Sequence, residues 1–98
     1  MIIQILDLAE ADLLKGFRFY QRRARGVGWY FLDSLYSDID SLQLYAGIHP
    51  RRCGYFRMLS RRFPYAIYYR IVGDVIQIWR VLDCRRNPRW IKDQLKRT

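Results

Sequence analysis

The order of patterns along this 98-residue chain predicts an α+β fold, a helical hairpin packed on an antiparallel sheet. Two observations carry it. Helical periodicity fills the first half, whereas strand-like runs of Tyr, Ile, Val, Phe and Trp fill the second. A two-residue turn, Gly73-Asp74, joins two of those runs and marks a hairpin. Segregated helices and strands argue against a parallel, doubly wound sheet.

The elements follow in order. Ile2 to Leu6 is apolar and β-branched and reads as a short strand. Asp7 is placed to cap a helix, with Glu10 three residues on completing a capping box. Ala9, Leu13, Phe17, Tyr20 and Ala24 then recur at helical spacing, and Gly26 and Gly28 break the run. A second helix is predicted from Trp29 to Tyr45, with Leu32, Leu35, Ile39 and Leu42 as its apolar stripe, ended by Gly47 and Pro50. Three strands follow: Tyr55 to Leu59, Tyr65 to Val72 and Val75 to Leu82. Asn87-Pro88 marks a turn, and Arg89 to Lys96 is long enough for a short last helix. The predicted order is β-α-α-β-β-β plus that helix, in one domain spanning residues 1–98.

Composition narrows the function classes. The apolar fraction of 51% excludes a disordered tail. No apolar run approaches the roughly 18 residues of a membrane span. Met1 to Asp7 has neither the basic start nor the small-residue cleavage site of a signal peptide, so a cytoplasmic location is expected. Cys53 and Cys84 are too few for a disulfide framework and should lie at opposite ends of the sheet as free thiols. Neither has a Cys or His at metal-ligand spacing, and no Gly-rich phosphate loop or catalytic elbow is present, so no metal or cofactor is expected.

Charge is the more telling quantity. The net formal charge is +9, and it is uneven: residues 1–49 sum to −1 and residues 50–98 to +10. Fifteen of the eighteen cations are arginine, the residue suited to forked contacts with phosphate or carboxylate. Arg57, Arg61, Arg62, Arg70, Arg80, Arg85 and Arg86 all fall on or beside the predicted strands and are the candidate binding residues for an anionic target. Alternation puts Ile76, Ile78 and Arg80 on one face of the last strand and Gln77, Trp79 and Val81 on the other. Charge alone would fit a plain nucleic-acid-binding module, yet no helix-turn-helix, zinc-finger or RNA-recognition signature supports that reading.

Two segments carry a resemblance: Arg62-Phe63-Pro64-Tyr65-Ala66-Ile67-Tyr68-Tyr69-Arg70-Ile71 and Val81-Leu82-Asp83-Cys84-Arg85-Arg86-Asn87-Pro88. With Ala9-Glu10-Ala11-Asp12-Leu13 and Phe31-Leu32, they resemble the RelE/ParE family of bacterial type II toxins, in order and over essentially the whole chain. The resemblance implies a growth-arresting toxin held inactive by a cognate antitoxin, with operator DNA reached only through that antitoxin. Some members of the family poison DNA gyrase, and others cleave messenger RNA on the ribosome.

Two departures from the family favour the gyrase alternative. Asp83 stands where many relatives carry His, and the stretch Ala46 to Arg52 lacks the lysines that nuclease members tend to have there. A ribonuclease would have to draw its groups from Arg57, Arg80, Asp83, Arg85 and Tyr68, with His49 as a further base. Asp83, two residues from Arg85, is expected to be ion-paired and a weak base.

Overall fold

The computed structural model describes all 98 residues. Strand β1 (Ile2–Ile5) leads into helix α1 (Asp7–Arg23), helix α2 (Val27–Asp40) and a single turn, α3 (Leu42–Tyr45). Strands β2 (Arg51–Arg52), β3 (Tyr55–Leu59), β4 (Tyr65–Val72) and β5 (Val75–Asp83) follow, then helix α4 (Pro88–Arg97). The five strands form one sheet in the order β1-β5-β4-β3-β2. Every neighbouring pair is antiparallel except β1 with β5, which run parallel, Ile3 opposite Ile76 and Ile5 opposite Ile78.

The sheet is covered on both faces. The α1–α2 hairpin lies on one, where Leu13, Phe31, Leu35 and Ile39 meet Ile67, Tyr69, Ile76 and Val81. Helix α4 covers part of the other, where Leu95 joins Tyr55, Ala66, Tyr68 and Leu82. The hairpin is close-packed because Gly16 admits the Phe31 ring: a Cβ there would stand 2.4 Å from Phe31 Cζ. The turn into β5 is equally specific, since Gly73 has φ +61°, a conformation that side chains resist.

Several expectations change. Asp7 does not cap α1: Leu6 holds the N-cap position with no side-chain bond, because its N–H is tied to Ile78 O of β5 at 3.0 Å and the chain passes directly from strand to helix. The second helix begins at Val27, not Trp29, and is interrupted at Ser41, whose hydroxyl donates to Asp38 O at 2.6 Å. Phe31, outside the predicted stripe, is fully buried, while Leu32 is only half-buried. The pair Arg51–Arg52 adds a strand, β2, that its length and charge concealed. The last helix forms as predicted and starts one residue earlier, at Pro88, with the Asn87 side chain accepting from Arg89 N at 2.8 Å.

The largest correction concerns β5. Tyr69 faces Ile78 but Tyr68 faces Arg80, so Trp79 is an extra residue, a β-bulge. The bulge reverses the alternation. Ile76, Ile78 and Val81 thereby all reach the hairpin core, while Trp79 and Leu82 pack towards α4. Arg80 does not share a face with Ile76 and Ile78.

Candidate functional site

The seven candidate arginines do not form one surface. Arg80 is 7% exposed, not a surface cation as expected. Its Nε and Nη2 donate to the two Asp12 oxygens at 2.7 and 2.9 Å, and Nη1 donates to Gln94 Oε1 and Thr98 Oγ1 of the chain's end. Asp12 also accepts from Val81 N at 2.9 Å, filling the edge of β5 just beyond the point where β1 stops. The group is a buried clamp joining α1, β5 and α4. Sequence reasoning missed Asp12, although the signal was there: with Ala9, Leu13 and Gly16 it occupies the i, i+3, i+4, i+7 face that α1 buries.

Asp83 and Arg85 pair as the sequence predicts. Arg85 N, Nε and Nη2 donate to the carboxylate at 2.8 to 3.0 Å. Burial alone would raise the Asp83 pKa, but the Arg85 bonds and the charges of Arg85 and Arg86 overcome it and hold the carboxyl below its ordinary range. Burial and the Asp83 charge push the neighbouring Tyr65 phenol up to about 12. Arg86 lies over the Trp90 ring at 3.8 Å. Arg61 and Arg62 sit in the β3–β4 turn against α2, where the buried Asp38 accepts from Ser60 Oγ and Arg61 N. Arg70 lies over Tyr55 and Trp79, at 4.1 and 5.0 Å from the ring centroids.

Arg57 stands apart. It occupies a groove of about 390 Å³ between the β3–β4 face and α4. Its Nε donates to Tyr68 Oη at 3.3 Å and its Nη2 to Cys84 Sγ at 3.7 Å. Arg52 and Lys92 border the same groove, and neither was singled out in sequence because each belongs to an element whose position is set by tertiary contacts. Cys53 and Cys84, both free thiols, are among its lining residues. Burial pushes the Cys84 thiol pKa up against the pull of the Arg57 charge, which keeps it protonated.

His49 is remote from the groove. Its Nδ1 bonds the Tyr69 hydroxyl, which lies on the hairpin face and also accepts from Gly47 N at 2.9 Å. Burial lowers the His49 pKa from 6.5, so the neutral ring accepts the phenol proton. Tyr69→Phe leaves both Gly47 N–H and His49 Nδ1 without this partner and should cost about 1–3 kcal/mol. Because the folded pKa lies below the unfolded one, the unfolded chain binds the extra proton. Stability should therefore fall as pH drops below about 6.5 and be flat with respect to this group above it. Histidine NMR titration, with denaturation at two pH values, checks both statements.

The geometry can be set beside known proteins. The family description "ParE toxin of type II toxin-antitoxin system, parDE" matches residues 3–88. The chain belongs to the ParE toxin family. Among solved structures, this toxin is similar to a chain of the chromosomal ParDE toxin–antitoxin system from P. aeruginosa, with a TM-score of 0.75 and 22% identity over 83% of this chain and 92% of that one. At that identity the likeness speaks for the fold. No curated protein sequence is matched. Membership gives this ParE-family toxin an antitoxin as its partner. No helix is long and apolar enough to cross a membrane.

Proposed function

We propose that this toxin arrests growth by inhibiting DNA gyrase, and that it does not cleave RNA itself. The observation that supports this reading is that neither Asp83 nor His49 lies in the groove that holds Arg57, and that its one phenol, Tyr68, is already bonded to Arg57. Metal-independent phosphodiester cleavage needs a base and a cation within hydrogen-bond reach of one phosphate. Arg57 faces open space, but its groove holds no carboxylate and no imidazole. Asp83 is engaged by Arg85, His49 is bonded to Tyr69, and Arg80 is spent on Asp12. The Tyr68 hydroxyl already accepts from Arg57, and the Cys84 thiol is held protonated. Operator DNA is contacted only through the antitoxin in this reading.

The deciding assay is paired. Purified toxin is added to a gyrase supercoiling reaction and, separately, to a translating extract. Supercoiling should stop while messenger RNA stays intact. Codon-phased cuts that vanish in Arg57→Ala, with supercoiling untouched, would overturn the proposal in favour of a ribosome-dependent ribonuclease.

A further inference from the structure

We infer that the open end of the helical hairpin binds single-stranded DNA, with phosphates on a row of cations along α1 and a base on the Trp29 ring. The surface stands without the gyrase reading; only the choice of DNA over RNA rests on it. All five cations of residues 1–49 fall between Lys15 and Arg25, and no Asp or Glu lies between Asp12 and Asp33. Lys15, Arg18 and Arg22 follow one another at spacings of three and four, so they share one face of α1, and Arg25 continues the row in the turn to α2. All four are exposed, and neither of the chain's ion pairs involves them. Like charges at these spacings destabilise a helix, and an anion laid along the row relieves the repulsion. Trp29, in the first turn of α2, stands beside the row. Its ring packs at 68° to that of Phe17, the neighbour of Arg18, with 4.8 Å between centroids, and is 60% exposed. Gln21 Oε1 accepts from Gly26 N and Gly28 N at 3.2 and 3.0 Å, which ties the turn to α1 and keeps row and ring in one relative position.

An acidic protein surface is the competing partner, and the indole decides against it. Single strands are held by cations that track the backbone beside open aromatic faces on which bases stack. Arginines lie over Phe19, Tyr30, Trp79 and Trp90, whereas none lies over Trp29. Its face is left for a planar partner. Carboxylates would pair with the row and leave the indole in water. Duplex DNA, whose bases are already stacked on one another, would also use the row alone. Phosphate contacts and stacking hold a strand without reading its sequence, so this surface is separate from operator recognition.

Binding is measured by fluorescence anisotropy with the toxin alone, on oligo-dT, on oligo-rU and on a DNA duplex of equal length. Trp29→Ala should weaken oligo-dT binding about tenfold, within the range for losing one stacked base, and leave duplex binding within about twofold. The triple variant Arg18→Gln, Arg22→Gln, Arg25→Gln should weaken oligo-dT about tenfold or more and flatten the slope of log K against log salt by about 2. Removing the same charge from α4, with Lys92→Gln, Lys96→Gln, Arg97→Gln, should leave binding within about threefold of native, because distant exposed charges are screened. Oxidative footprinting of the unaltered chain decides the matter even if a variant is unstable: bound oligo-dT should slow oxidation of Trp29 and leave the exposed Cys53 unchanged. Equal losses in the two triple variants, equal losses of oligo-dT and duplex in Trp29→Ala, or an unprotected Trp29 would each overturn the inference. So would tighter binding of oligo-rU than of oligo-dT, or displacement by poly-Glu as effective as by unlabelled oligo-dT. Gyrase takes no part in these measurements, so their failure and a failure of supercoiling inhibition are read separately.

Discussion

Asp12→Ala should destabilise the toxin by about 3–5 kcal/mol, the range for removing one partner of a buried ion pair. Asp12 and Arg80 are 8% and 7% exposed, and the carboxylate answers three donors, two from Arg80 and one from Val81. Its loss strands a guanidinium that solvent barely reaches and leaves a backbone N–H unbonded. Folded proteins have about 5–15 kcal/mol in all, so the variant should melt roughly 15–30 °C lower. Asp83→Ala is the internal contrast. That pair has the same chemistry, but Arg85 is 55% exposed, and such pairs contribute about 0–1 kcal/mol. The double change Asp12→Leu, Arg80→Met should recover part of the loss, but not all of it, because Val81 N–H still lacks an acceptor. Thermal melts of the three variants beside the native chain check this. Equal melting points for Asp12→Ala and Asp83→Ala would remove the clamp from the account.

Phe31→Ala should cost a similar about 3–5 kcal/mol, for a different reason. Phe31 is fully buried, with ring centroids of Tyr20, Phe63 and Tyr65 at 5.2, 5.1 and 4.9 Å. Deleting the ring opens a cavity among large, rigid neighbours that collapse poorly into it. Gly16→Ala attacks the same contact from the other side and should cost about 1–3 kcal/mol, since its methyl would overlap the ring. In a Phe31→Leu background the Gly16→Ala penalty should shrink, because the clash is with the ring itself. Denaturant unfolding of this double-mutant cycle gives the coupling directly. Strict additivity would show that the two residues do not sense each other.

Much of the architecture was legible because it is written in periodicity. The long helices, the three main strands and α4 follow from runs that a linear pattern records. The parallel pairing of β1 was not, since nothing local distinguishes it from an antiparallel edge. The bulge at Trp79 was also hidden: a single extra residue leaves the composition of β5 unchanged while moving Arg80 off the predicted face. That one shift explains the main failure at the candidate site, where a cation assigned to a target is found holding Asp12. Asp83 with Arg85 was readable because the partners are two residues apart. Arg57, Arg52 and Lys92 meet only through the sheet and α4, so their grouping is a tertiary fact that charge counting cannot anticipate.

The placement of β1 beside β5 bears on when the toxin comes into being. The clamp joins residues 68 positions apart, and β1 finds its hydrogen-bonding partner only in β5. Contacts of such long span form late, because the loop between them must be closed first. A nascent chain can assemble the helical hairpin early, from neighbours in sequence, but β5, the strand between β1 and β4, does not yet exist. A chain halted anywhere before β5 carries the hairpin and most of the acidic residues, yet has no finished sheet and no groove. Interrupted translation before β5 therefore leaves β1 and β4 without the strand that joins them.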